Sequence, residues 1–320
     1  MGIRTLRRRA LGAGVAGLLL AGCGGGSQTT GAVPQSATTI SALTRVHQAS
    51  GSSGDLLYAL GARRGRWTLH AFTFPGGQPV SNQGVNASKG LCSDTNGNIF
   101  IPRYEGVDEY AHGGKHPIAT LNDPNYDAVD CSVDPATGNL AVTNESRQTN
   151  PGNVVVYENA AGSPTAHTDP QIYYYLSCGY DNSGNLFVVG LTEGSAEMLA
   201  ELPNGSSTFI NITVNRPIYV GSVQWDGKYV ALMGDQKHID RVQISGSTGT
   251  VVQTILLRHT RGINEFWIQG NIIAATSWND AIYNYPRGGK PILFFSKRGH
   301  VGVHLYGVTV SVAPSLHSRR

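Results

Sequence analysis

One turn returns along this chain at a nearly constant interval, and that interval limits what the chain can fold into. In residues 131–144, Cys-Ser-Val-Asp-Pro-Ala-Thr-Gly-Asn-Leu-Ala-Val-Thr-Asn, a short apolar strand leads into a tight turn at Gly138-Asn139 and out through a second apolar strand. The unit recurs at Cys92–Ile101 and Cys178–Val189, with weaker copies at Val223–Leu232 and Phe266–Ala275. Its turn glycines, Gly97, Gly138, Gly184, Gly227 and Gly270, stand 41, 46, 43 and 43 residues apart. Strand-built repeats of about 40–45 residues are what the blades of a β-propeller require.

A second turn repeats in phase with the first. It runs through Phe74-Pro-Gly-Gly-Gln-Pro79, Tyr110 to Pro117, Tyr157 to Pro164, Leu202-Pro-Asn-Gly205 and Tyr285 to Pro291. Glycine turns the chain, and proline on the outer strand blocks an extra partner. In the third repeat the strands are Val129–Val133, Asn139–Thr143 and Asn153–Tyr157, followed by a short outer strand. The expected fold is all-β, a propeller of six four-stranded blades over residues 54–314. Gly54–Leu60 reads as a second strand with no first strand before it, and Leu305–Ala313 as a first strand with no second strand after it. Pairing the two closes the ring and removes exposed edges. Seven blades is the alternative, if Ile40–Val46 supplies its own inner strand.

Charged residues make up only 14% of the chain, against roughly 25% in average proteins, and no long stretch has a helical period. The formal net charge of +3 includes Arg4, Arg7, Arg8 and Arg9; without them it is −1. A near-neutral domain has no electrostatic footprint for nucleic acid. Those arginines precede an apolar run, Ala10–Ala21, that is shorter than the roughly 20 residues of a membrane span, so residues 1–22 read as a signal peptide. Leu20-Ala21-Gly22-Cys23 resembles the bacterial lipobox, which implies lipidation of Cys23 and export to a bacterial membrane, on the periplasmic or cell-surface side. Gly24 after that cysteine is compatible with outer-membrane sorting. Residues 23–53, the lipidated cysteine and a segment rich in Gly, Ser, Thr, Gln and Ala, read as a flexible tether, and residues 315–320 as a tail.

The Asp-x-x-Gly-Asn-apolar turns, as in Asp134 to Val142, resemble the six-bladed propellers of the NHL-repeat and gluconolactonase-like superfamily over residues 54–313. That superfamily includes lactonases, a lyase and interaction domains, so the resemblance carries architecture and leaves function open. Its lactonases hold a divalent metal with Glu, Asn and Asp on inner strands. Glu265 is the one inner-strand acid identified here, without matching partners.

Cys92, Cys131 and Cys178 lie on inner strands of successive blades. Their odd number and the lack of Cys-x-x-Cys spacing favour small buried apolar residues over a disulfide or zinc framework. Neighbouring blades are expected to hold these positions beyond the roughly 7 Å between Cα atoms that a disulfide spans. Asp94, Asp134, Asp181 and Asp226 read as turn residues bonding their own backbone rather than calcium ligands. His112 and His116 fall in a turn, so they lack the helical spacing of a metal pair. No nucleophile elbow or phosphate loop is present.

Variable loops on a rigid scaffold are where binding residues collect. In the second-to-third-strand loops these are Arg103, Tyr104, Glu105, Asn144, Glu145, Arg147, Glu193, Asp235, His238, Trp278, Asn279 and Asp280. In the links between blades they are Tyr126, Tyr174, Arg216, Tyr219, Arg261 and His300, with His304 across the last inner strand. The expected function is an envelope-anchored binding platform for a protein, glycan or small molecule, with no catalytic residue, cofactor or metal assigned. One alternative is a metal-dependent lactonase, hydrolase or lyase with an axial site, which would hold calcium or zinc. The other is a structural part of an envelope assembly.

Overall fold

The computed structural model describes residues 54–146, 151–277, 279–296 and 304–314. They belong to the second of two compact units, Met1–Arg45 and Val46–Arg320. The signal segment, Cys23, the tether with Ile40–Val46, Arg147, Trp278, His300 and the tail lie outside the described residues.

Among the described residues there is no α-helix, only a 3-10 turn at Glu158–Ala160 and strands, nearly all paired antiparallel. β1 (Leu56–Arg63), β2 (Arg66–Thr73) and β3 (Pro79–Val85) form the first sheet. β4 (Cys92–Ser93), β5 (Ile99–Tyr110), β6 (Pro117–Val133), β7 (Leu140–Ser146), β8 (Asn153–Tyr157) and β9 (Thr165–His167) form the second. The third holds β10 (Tyr174–Tyr180), β11 (Leu186–Leu191), β12 (Glu197–Leu202), β13 (Ile210–Val214), β14 (Val223–Trp225), β15 (Val230–Met233), β16 (His238–Ser245) and β17 (Thr248–Leu256). β18 (Ile263–Gln269), β19 (Ile272–Ser277), β20 (Asp280–Asn284) and β21 (Leu293–Ser296) make the fourth, and β22 (His304–Ser311) pairs antiparallel with β1 in the first.

Burial follows strand position. Leu56 to Gly61 of β1 are buried without interruption because sheets cover both faces, whereas outer β3 is exposed or half-buried along its length. Continuous apolar runs are the mark of strands buried on both faces. β5 breaks its register between Tyr104 and Gly106, where Glu105 and Gly106 take φ of +61° and +150°. β6 pairs with β5 through Pro117–Asn122 and again at Asp127, opposite Tyr104, and with β7 through Tyr126–Val133. In the third sheet the parallel pair β13–β17 joins two four-strand groups.

The repeated turns form as their chemistry requires. Gly97, Gly138, Gly184, Gly227 and Gly270 have φ of +84°, +75°, +79°, +92° and +60°, a region that disfavours side chains. The carboxylates of Asp94, Asp134, Asp181 and Asp226 accept N–H groups two to four residues on, at 2.7–2.9 Å.

The cysteines correct the sequence expectation. Cys92 of β4 and Cys131 of β6 form a disulfide with Cα atoms 5.5 Å apart. The two inner strands converge here, so residues on adjacent first strands come within bonding range. Cys178 is free and buried. The bond closes a span of 39 residues, and removing such a link costs about 2–4 kcal/mol. Thiol reduction, or joint replacement of Cys92 and Cys131 by serine, is therefore expected to lower the urea midpoint without changing the far-ultraviolet spectrum of the folded state. An unchanged midpoint would show that the bond does not form.

Candidate functional site

Three inner strands carry a bulge at matching places. Register shifts between Ala128 and Asp130, Tyr175 and Ser177, and Ile263 and Glu265 leave Val129, Leu176 and Asn264 without a cross-strand partner. A bulge bends its strand and re-aims the residue that follows, here Asp130, Ser177 and Glu265. Threonines on the second strands hold two of them. Thr143 Oγ1 accepts the Asp130 N–H at 3.2 Å, and Thr276 Oγ1 accepts that of Glu265 at 3.2 Å.

These side chains, with Ser222, bond the next inner strand in order. The Asp130 carboxylate accepts the Cys178 N–H and a hydrogen bond from Ser177. Ser177 Oγ accepts the Val223 N–H at 3.2 Å, Ser222 Oγ that of Phe266 at 2.9 Å, and Glu265 Oε2 that of Val308 at 3.2 Å. Further along the strands, Ser132 Oγ accepts from the Tyr180 N–H at 3.1 Å and Gln224 Oε1 from the Ile268 N–H at 2.6 Å. Asp130 is therefore a second inner-strand acid, correcting the reading of Glu265 as the only one. Burial, partly offset by these hydrogen bonds, pushes the Asp130 carboxyl up to about 6. Burial, then the charge of Asp130, pushes Glu265 well above the carboxylate range. A methyl group at Gly90 would overlap the Asp130 carboxylate, so glycine is required there.

Two cavities meet at Ser177 and Glu265. The inner chamber, about 250 Å³, is lined by Asp130, Ser132, Cys178, Gln224, Phe266 and Trp267 among others. The outer vestibule, about 400 Å³, is lined by Lys89, Tyr219, Gln236, Arg261, Asn264 and Tyr306 together with the bulge residues Val129 and Leu176. It opens among the links that precede the inner strands. Arg261 is exposed and has no hydrogen-bond or ion-pair partner among the described residues. Lys89 reaches Glu145 at 3.3 Å. Gln236 Nε2 donates to the Tyr219 hydroxyl at 3.4 Å, and Asn264 Nδ2 to the Leu305 carbonyl at 2.7 Å.

Of the residues singled out in the sequence, Tyr219 and Arg261 line the vestibule, and Glu145 touches it through Lys89. Arg103 is tied to Asp108 at 3.0 Å, Arg216 to the buried Asp240 at 3.4 Å, and His238 to Asp235 at 2.8 Å. Asn144 is buried against Asp123 and Asn153. Buried Asp280 accepts the Ser277 N–H at 2.8 Å, and Asn279 donates to the His259 carbonyl at 3.2 Å. Tyr104, Glu105 and Glu193 are exposed, Tyr126 is half-buried, and Tyr174 packs edge-on against Tyr173 with centroids 4.8 Å apart. His304 begins β22 with its ring 4.9 Å from that of Tyr306. His112 bonds Ser311 and the Gly54 carbonyl at 2.6 and 3.2 Å. Lys89 and Tyr306 were not recognised in the sequence. Lys89 occupies the same kind of link as Tyr219 and Arg261, three and four repeats nearer the N-terminus, and that correspondence was the available clue.

No protein-family model and no curated protein matches this chain. Solved structures do. A chain from a nidogen/laminin complex superposes with a TM-score of 0.63 at 12% identity, covering 82% of this chain and all of its own length. A protein of unknown function from Bacteroides caccae gives 0.61 at 10% identity, covering 81% of this chain and 99% of its own. At these identities the likeness establishes the fold alone: an all-β, propeller-like arrangement of curled sheets.

Because folding raises the Asp130 pKa from an ordinary 3.8 to about 6, its contribution to stability is full below pH 3.8. It falls as pH rises through 6 and stays low above. Asp130→Asn keeps an acceptor for Cys178 and removes the ionisation. Its melting temperature is expected to decline less than that of the parent between pH 4 and pH 7, with a difference of up to about 3 kcal/mol. Parallel curves would place the ionisation elsewhere.

Proposed function

We propose that this chain is a six-bladed β-propeller of the NHL-repeat and gluconolactonase-like kind, lipid-anchored through Cys23 in a bacterial envelope. It acts as a binding platform whose seat is the axial vestibule. The bends within β5 and β6, which divide the second sheet into two four-strand groups, support the count. The parallel β13–β17 join supports it in the third sheet, and the pairing of β22 with β1 supports a ring closed by the C-terminal strand. The observation that carries the binding reading is the vestibule itself. Links from separate blades bring Lys89, Tyr219 and Arg261 to one cavity of about 400 Å³ with a mixed polar and apolar lining, within the size range of ligand sites. A rigid scaffold on a tether suits capture at a distance from the membrane.

An axial enzyme is the second reading, favoured by one observation: Asp130 and Glu265 both line the inner chamber. Their hydrogen bonds to Cys178 and Val308 give the two acids structural work that Ser177 and Ser222 share, which favours the platform.

A thermal-shift screen with small polar metabolites and glycan fragments tests the platform. Compounds that stabilise the protein are expected to lose most of their effect when Lys89 and Arg261 are both changed to alanine. Compounds that still stabilise that variant, but fail with Tyr104→Ala and Tyr174→Ala, would move the seat to the outer loops. One tightly held divalent ion per chain, released by Asp130→Asn, would turn the reading toward the enzyme.

A further inference from the structure

The vestibule is chemically asymmetric, and the asymmetry selects a ligand. Two cations stand at its mouth. Arg261 has no partner among the described residues, and Lys89 is held only by an exposed pair with Glu145, the kind of pair worth well under about 1 kcal/mol. At the floor stands Glu265, with Oε2 already engaged by the Val308 N–H. Tyr306 walls one side, its ring edge-on to Trp67 at 5.4 Å between centroids and tilted against His304 at 4.9 Å. Tyr219 also lines the cavity and packs on the cluster formed by Phe266 and Ile263.

From this arrangement we infer that the vestibule binds a small organic anion, its charged group between Lys89 and Arg261 and a planar, partly apolar body against the two tyrosines. The inference rests on the binding-platform reading above and narrows it to a ligand class. The cations supply charge-assisted hydrogen bonds to a carboxylate or a phosphate. The floor imposes a second condition. Glu265 feels the charges of Asp130 on β6 and of Lys89, and shares the cavity lining with Arg261, Tyr219 and Tyr306. Desolvation favours its protonated form, against the opposing pull of Lys89, and a protonated floor can donate to an acceptor on the ligand. Ionisation would place a negative charge beneath an anionic ligand. Affinity is therefore expected to fall as pH rises, with the mouth cations unchanged.

Benzoate, benzamide and benzamidine, alike in shape and differing in charge, test the ligand class by calorimetry on the whole protein, with phenyl phosphate beside them. Benzoate or phenyl phosphate is expected to bind, benzamide more weakly and benzamidine not at all; the stronger of the two anions identifies the charged group. Arg261→Ala is expected to weaken the anion about tenfold, the loss of one hydrogen bond to a charged group. Glu145→Gln, by freeing Lys89, is expected to tighten it about threefold at low salt. Glu265→Gln, which keeps an acceptor for Val308, is expected to bind with a flat pH profile. Melting curves confirm that each variant is folded.

Preference for benzamidine, or anion binding indifferent to both Arg261→Ala and Lys89→Ala, overturns the inference. If the series does not bind while screening compounds still depend on Lys89 and Arg261, the ligand class is wrong and the platform stands. If neither depends on them, both readings fall.

Discussion

Every sheet in this fold has an inner edge with no further strand to pair with, and the structure depends on how those edges are satisfied. An unpaired backbone N–H away from water costs as much as a lost hydrogen bond. Side chains of the preceding inner strand supply the acceptors: Asp130 for Cys178, Ser177 for Val223, Ser222 for Phe266 and Glu265 for Val308. The same bonds stitch neighbouring inner strands where backbone pairing is geometrically impossible. They also decide the character of the axial cavity. The stitches bring polar groups into a cavity also lined by Phe266, Trp267 and Val310, and because two of them are carboxyls, it holds two acids whose charged forms are disfavoured by burial. Scaffold and site are one set of residues at this point, so a change at the axis acts on both.

What could be read in the sequence was local. The turns were legible because Asp, Gly and Asn write their geometry within five residues, as in Asp181 bonding the Ser183 and Asn185 N–H groups. β8 runs over the same residues in both readings, and β1 and β22 fall where the repeat places them. Features that needed the third dimension were missed. The Cys92–Cys131 bond depends on convergence of two inner strands that no spacing rule reports. Asp130 depends on a bulge at Val129, and one skipped residue is invisible in a run of apolar letters.

The binding residues divide the same way. Reading the links as a ligand-facing set found Tyr219 and Arg261, but composition alone could not tell a charged residue poised for a ligand from one already spent. Arg103, Arg216 and His238 have acid partners within 3.4 Å, Asn144 is buried against Asp123 of β6 and Asn153 of β8, and Asp280 is buried against the Ser277 N–H of its own loop. A loop rich in Arg, Asp and His is as often neutralising itself as waiting for something else. Arg261 differs because no acid among the described residues pairs with it, a fact about neighbours rather than about the residue.

The pairing of β22 with β1 has a consequence for the order of events in the cell. Leu56 sits opposite Ser311, so the strand group of β1–β3 lacks its innermost member until β22 has been made. Contacts this distant in sequence are slow to form. Until then the apolar face of Leu57 and Ala59, which packs with Leu305, Val308 and Val310, has no cover. An emerging chain would have to be shielded over that interval, and loss of β22 would open the sheet of β1 rather than the strands that precede β22 in sequence.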